Sequence, residues 1–432
     1  MERKITAYLH EWKNNPARKP LILKGARQVG KTYSILEFGR SCYDNVAYFN
    51  FENDPALTRT FEEGISPSRL IPLLSNHSGQ SIISGRTLII FDEVQLCERA
   101  VTSLKYFCEE APQHHVIAAG SLLGIAVNRA TYSFPVGKVD IRNMFPMDME
   151  EFFLAMGQGD LAQSIREHFE SSAPLPHIIH ETAMRLYRQY LVVGGMPECV
   201  RLTKETGDYI LIRNAQKNIL AGYLDDMSKY NQTGEIKKTR LAYDSITTQL
   251  SKKNTRFLYK LVKKGGRAAE FENAIEWLLL SGIVNQVFRV EHVMKPLENY
   301  KDIDAFKIYV SDCGLLCAKK DIPADDILFM NSDLNDFKGG MTENYVNTQL
   351  TASGHRMFYW EANGGTAEID FIIQRGGSLI PVEVKSSDNT RSKSLQAYIS
   401  RYNPDYAIKL SMNNFMKEGI KRFVPLYAAF CL

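Results

Sequence analysis

Long apolar runs are absent from this sequence. Nothing approaches the roughly 18 consecutive apolar residues of a membrane span, and the two most apolar stretches, 277–284 and 424–432, are too short. The opening MERKITAYLHEW has no apolar block of signal-peptide length; Ile5, Leu9 and Trp12 fall instead on one helical face. Cysteine is scarce: seven are present, an odd number without a CxxC pair, which argues against a disulfide framework. Cys313 and Cys317 lie one helical turn apart with no histidine nearby, so they read as buried thiols rather than zinc ligands. An excess of one charge is lacking too. Fifty-two Lys and Arg against 49 Asp and Glu leave +3, so no global field draws the chain to nucleic acid or to an anionic membrane, and any basic surface must be local. No fixed-period repeat is visible. These absences point to a cytoplasmic globular protein without membrane contact.

A chain of 432 residues exceeds one ordinary core, so two or three domains are expected. Over residues 1–147, short β-rich runs (LILKG, NVAYFNFE, TLIIFDEV, HVIAAGS, KVDIRNM) alternate with helical stretches. That rhythm predicts an α/β core with a mainly parallel sheet covered on both faces. Over 148–330 the pattern is helical, opened by Asp148 and Glu151 as a capping box before EFFLAM, with a loop at SSAPLP, 171–176. A polar stretch at 331–340 reads as a linker into a third segment, 331–432, whose order is helix (342–352), three strands, helix (393–402), strand.

Gly25-Ala26-Arg27-Gln28-Val29-Gly30-Lys31-Thr32 follows a strand and precedes a helix. Glycines at both ends let backbone N–H groups curl around phosphates, and the helix N-terminus adds its positive dipole end. In such a P-loop the lysine, Lys31, reaches the β- and γ-phosphates and the Thr32 hydroxyl ligates Mg²⁺. The buried run TLIIF then delivers Asp92 and Glu93 about 60 residues later. Asp92 fits a carboxylate that holds Mg²⁺ through its water shell, and Glu93 one that polarises the attacking water. The strand HVIAAGS brings Ser121 to the same sheet edge, either to bond the γ-phosphate or lytic water as a sensor or to cap the next turn. Arg99, Arg129 and Arg142 are candidates for an arginine finger, with a surface or ion-pair role as the alternative for each.

Residues 252–267, KKNTRFLYKLVKKGGR, carry seven basic residues and no acid, with Phe257 and Tyr259 between them. A helix follows, then VNQVFRVE as a strand pair or wing. This order matches a winged-helix reader of DNA or RNA, or equally a protein–protein module with a solvated basic face.

The P-loop, Phe91-Asp92-Glu93-Val94-Gln95, AAGSLLG, SFPVGKV, FPMDMEEF and YLVVGGMP together resemble a family of prokaryotic AAA-type ATPases. The resemblance covers nearly the whole chain. It implies adenine, hence ATP, as the base, a winged-helix region after the ATPase core, and a terminal domain of unknown function similar to the restriction-endonuclease (PD-(D/E)xK) fold. It implies no settled biological role.

The last segment also supports a reading of its own. Gly376-Gly377 between TAEIDFIIQR and SLIPVEVKSS is a two-residue hairpin turn. That turn sets Asp370 opposite Glu383 and Glu368 opposite Lys385 on one face, with Ile369, Phe371, Ile380, Val382 and Val384 on the other. Facing carboxylates repel, and a second divalent ion between them removes the penalty. Lys385 would then activate a water on that ion, the Asp…Glu-x-Lys arrangement of metal-dependent nucleases; the alternative is a solvent-exposed polar face. Glu343 matches the family's additional acidic position. The expected function is a Mg²⁺-dependent ATPase coupled to a nucleic-acid-acting, nuclease-like domain. The rival is an ATP-driven assembly switch that binds a protein partner through an inert terminal domain.

Overall fold

A computed structural model describes residues 1–121, 123, 134–230, 233–251, 256–329, 335–362, 364–387 and 392–432. The chain divides into two compact units, Glu2–Phe145 with Leu280–Gly282, and Pro146–Leu279 with Ile283–Leu432.

In the first unit the apolar runs become β1 (Leu21–Lys24), β2 (Asn45–Asn50), β3 (Thr87–Asp92), β4 (His115–Gly120) and β5 (Asp140–Asn143). They form a sheet of order β2-β3-β4-β1-β5 in which every pairing is parallel. Every residue of β3 and β4 is buried, as an interior strand covered on both faces requires. Phe91 on β3 meets Phe49, Phe61 and Phe107 edge-on or tilted at 5.5–6.2 Å between centroids. Burying each such ring contributes roughly 1.5–3 kcal/mol. The N-terminal helix Lys4–Asn14 buries Ile5, Leu9 and Trp12, the face read from its spacing.

The second unit opens with the capping box. Glu151 N–H donates to Asp148 Oδ1 (2.9 Å) and Asp148 N–H to Glu151 Oε2 (3.2 Å), fixing the start of the helix Met149–Ala155. The glycines of YLVVGGMP have a steric cause. A Cβ on Gly194 would stand 2.2 Å from Asp312 Oδ1, and one on Gly195 1.9 Å from the Met147 carbonyl oxygen. Asp312 accepts from Leu315 N–H at 2.8 Å and from Gly195 N–H at 2.6 Å, so it caps one helix while tying it to the GG corner. Burial pushes its pKa from 3.8 up to about 6 in spite of those bonds. The folded state therefore holds a proton that the unfolded chain has released between about pH 4 and 6, and stability falls as pH rises through that window, by ~3 kcal/mol for a difference of this size. Urea denaturation at pH 4, 5 and 6 should show that decline in the parent and its loss in Asp312→Asn.

The strands of this unit are β6 (Val284–Val290), β7 (Lys301–Val310), β8 (Phe358–Glu361), β9 (Glu368–Arg375), β10 (Ser378–Val384), β11 (Ala407–Ser411), β12 (Met416–Glu418) and β13 (Lys421–Pro425). They make one mixed sheet of order β12-β13-β11-β10-β9-β8-β6-β7. The hairpin has the register read from its turn from Ser378 opposite Arg375 to Val382 opposite Phe371; the ladder ends there, short of the Asp370–Glu383 and Glu368–Lys385 pairs, and Glu368 faces Glu361 on β8 instead. Gly376 and Gly377 carry φ of 54° and 83°, which only glycine adopts freely in succession.

Two features differ from expectation. Residues 335–340, read as linker, begin the helix Asn335–Ala352. Gly340 lies in it because a Cβ there would stand 2.2 Å from the Leu250 carbonyl oxygen, so this glycine serves a close helix approach rather than a break. The helix–helix–helix–strand–strand order of 233–310 is present, but β6, read as part of a wing, pairs parallel with β8 inside the large sheet. That sheet therefore crosses the boundary read at 330/331.

Candidate functional site

The P-loop lies where β1 meets the helix Lys31–Cys42. Its turn needs left-handed backbone at Gln28 (φ 66°) and Gly30 (φ 94°). Gly25 has no room for a side chain, since a Cβ there would stand 2.1 Å from the Met144 carbonyl oxygen. Lys31 Nζ donates to the carbonyls of Gly25 (2.9 Å) and Ala26 (2.8 Å), so the ammonium sits inside the loop it would share with phosphate. Arg3 braces the loop from below, donating to the carbonyls of Val29 and Phe145 at 2.8 Å each.

Thr32 Oγ1 donates to Asp92 Oδ2 at 2.8 Å. The two proposed magnesium groups, 60 residues apart in the chain, thus meet directly at the carboxyl ends of β1 and β3. Tyr48, on β2, donates to the same carboxylate oxygen at 2.8 Å, and burial raises its pKa to about 12, keeping it a donor. A hydroxyl and a carboxylate are hard oxygen donors of the kind Mg²⁺ takes, and Asp92 is buried, so the residues fit that ion. Glu93 takes left-handed backbone, φ 50°, and Gln95 Nε2 donates to its Oε2. Burial raises the Glu93 pKa above the ordinary carboxylate value. Ser121, buried, follows β4, the strand between β1 and β3. Arg99 is engaged with the Phe61 carbonyl at 2.8 Å, Arg142 lies over the Tyr8 ring, and Arg129 falls outside the described residues.

The second unit holds a cleft of about 270 Å³ whose lining includes Arg256, Lys307, Glu343, Glu368, Asp370 and Lys385. Strand alternation places Glu368 and Asp370 on one face of β9, and the helix Asn335–Ala352 brings Glu343 over it. Asp370 Oδ2 accepts from Val384 N–H at 2.7 Å; burial first, and Glu343 second, raise its pKa. Lys385 pairs with Glu383 at 3.0 Å, while Glu383 Oε2 is buried without a hydrogen-bond partner. Glu343 does not stand free beside Asp370 and Glu383. Lys307 Nζ lies 2.8 Å from Glu343 and 2.5 Å from Glu368, and the Tyr309 hydroxyl donates to Glu343. Burial works against the Lys307 charge, but Glu343 and Glu368 outweigh it and hold its pKa well above the ordinary value. Among the described residues no three carboxylate, imidazole or thiol side chains are grouped to hold an ion.

The structure brings together residues that the sequence left apart. Arg256, from the basic tract, stands in the carboxylate cleft with Lys385; Lys252 and Lys253 lie outside the described residues. Lys307, Tyr309, Tyr48 and Gln95 went unassigned. A lysine inside the buried run AFKIYV, residues 305–310, was a visible clue, because a charge there must find partners.

Three families match the chain, each over less than half of it: one described as AAA domain over residues 17–153, and two described as domains of unknown function, DUF8612 over 184–326 and DUF4143 over 338–429. No curated protein matches. Among solved structures, the Walker-type ATPase PABY2304 of Pyrococcus abyssi is 14% identical, with 74% of this chain and 95% of that one covered and a TM-score of 0.46. The Aeropyrum pernix ORC1 protein in complex with DNA is 12% identical (74% and 91% covered, TM-score 0.31). The Aeropyrum pernix ORC2 protein is 13% identical (76% and 92% covered, TM-score 0.36). The AAA match lies over the P-loop and the Asp92–Glu93 strand, which supports ATPase activity in that part of the chain. Among the described residues no helix is long and apolar enough to cross a membrane.

Proposed function

We propose that ATP turnover at the P-loop is coupled to a nuclease-like cleft that acts on nucleic acid. Lys31 and the loop amides bind the β- and γ-phosphates, and Thr32 and Asp92 hold Mg²⁺. The ion, when bound, would neutralise charge on the phosphate oxygens. Glu93 takes a proton from water as the water oxygen bonds to the γ-phosphorus and the bridging P–O bond breaks, releasing ADP and phosphate. Ser121 is the candidate sensor of that phosphate.

The observation that carries the nucleic-acid half is the convergence of Arg256 and Lys385 on the cleft floored by Glu343, Glu368 and Asp370. Asp370 and Glu383 are the proposed ligands of a second divalent ion, with water completing its shell; the orphaned Glu383 Oε2 favours a cation there. Lys385 would deprotonate or orient the attacking water. A second reading, an assembly switch with an inactive terminal domain, draws on Lys307, whose ammonium already neutralises Glu343 and Glu368.

Melting of the nucleotide-free full chain tests this. Mn²⁺ at 100 times its dissociation constant should stabilise the parent by ~2.7 kcal/mol and leave Asp370→Asn unmoved. Strand cleavage should need both Mn²⁺ and Lys385. A parent whose melting ignores Mn²⁺, with no cleavage of DNA or RNA, selects the switch.

A further inference from the structure

Gln95 follows the acidic pair Asp92-Glu93 by two residues and has no role so far. Its side chain spans two elements. The amide nitrogen Nε2 donates to Glu93 Oε2, and the amide oxygen Oε1 is buried without a hydrogen-bond partner. That oxygen lies against the last residue of β4: a Cβ on Gly120 would stand 2.1 Å from it. The amide is thus wedged between Glu93 and the bare backbone of the strand that delivers Ser121. Glu93 itself is half-buried and sits on a left-handed residue, φ 50°, and the short 3₁₀ turn Val94–Leu96 fixes how far Gln95 can reach.

We propose that Gln95 is the positioning residue for Glu93, and that Gly120 is glycine to leave it room. The amide fixes which way the Glu93 carboxylate points, so the proton acceptor is already aimed when ATP arrives. It acts through Glu93 rather than on the nucleotide or the metal. A misaimed base lowers turnover without weakening binding, because the groups that hold ATP are elsewhere in the loop; a displacement of about 1 Å can reduce the rate on the order of 100-fold. The inference rests on Glu93 being the base.

The test uses the full chain and measures ATP turnover and nucleotide affinity separately. Gln95→Ala should lower kcat roughly 10- to 100-fold and keep nucleotide affinity within about twofold of the parent. In a Glu93→Gln background the same change should have almost no further effect, since groups acting as a unit are strongly non-additive. Gly120→Ala, which forces the amide aside, should reproduce the kcat loss with Gln95 present and lose much of its effect in Gln95→Ala; what remains comes from Leu123, 3.0 Å from the added carbon. A variant that unfolds would show itself by lost nucleotide binding; if Gln95→Ala does so, Gly120→Ala in the parent and in Glu93→Gln still decides, since its kcat effect should be present in the first and almost absent in the second. If Glu93→Gln is slow but Gln95→Ala turns over at the parental rate, or if Gln95→Ala slows the Glu93→Gln variant further by its full factor, Gln95 does not act through Glu93. If Glu93→Gln is itself as fast as the parent, the base assignment fails first and this inference falls with it.

Discussion

Glu93→Gln is expected to bind ATP as the parent does and to hydrolyse it roughly 100- to 10,000-fold more slowly, the usual scale for a positioned general base. Binding should survive because Lys31 and Thr32, the groups proposed to hold the phosphates and Mg²⁺, are untouched. The fold should survive because glutamine is isosteric and its carbonyl can still accept from Gln95 Nε2. Phosphate release and titration with a fluorescent nucleotide separate the two quantities. Parental turnover in this variant would move the base away from Glu93. A loss of affinity equal to the loss of rate would make the residue a binding group instead.

Lys307→Met carries the largest expected effect on stability. Lys307 is 8% exposed and bridges Glu343 and Glu368 at 2.8 and 2.5 Å. Methionine fills the same space but leaves two carboxylates without their cation, and removing one partner of a buried ion pair typically costs about 3–5 kcal/mol. Neutralising a carboxylate as well should recover part of that loss, so Lys307→Met with Glu343→Gln should denature at higher urea than Lys307→Met alone. Equal midpoints for the two variants would mean that Lys307 serves as packing rather than as counter-ion. The comparison also bears on the switch reading, since it measures how strongly the cleft neutralises itself.

What could be read from the sequence is local. Gly25, Gly30 and the Asp148–Glu151 box declare themselves through turn and cap chemistry confined to a few residues, and the hairpin register follows once Gly376-Gly377 is placed at the turn. The parallel core follows from apolar runs spaced by helical stretches. What escaped is set by neighbours distant in sequence. Lys307 and Tyr309 reach Glu343 and Glu368 only because β7, β6 and β8 continue one sheet into the hairpin, an order that no local pattern encodes. Arg256 reaches the cleft for the same reason. Gly339-Gly340 read as a break because glycine disfavours helix, but close contact with Leu250 overrides that preference at Gly340. Tyr48 reads locally as one more residue of a strand; the parallel pairing of Asn50 with Asp92 sets β2 beside the carboxylate proposed to hold the metal.

In the proposed function one chain couples ATP turnover to a cleft acting on nucleic acid. Phosphate release by the purified 432-residue chain, with ATP and Mg²⁺ and in the presence or absence of DNA or RNA, tests it most directly. Turnover should require Mg²⁺, rise several-fold with nucleic acid, and lose that rise, but not its basal rate, in Arg256→Glu. Mg²⁺-dependent turnover indifferent to every nucleic acid supplied would contradict the coupling and leave the protein-partner switch in its place.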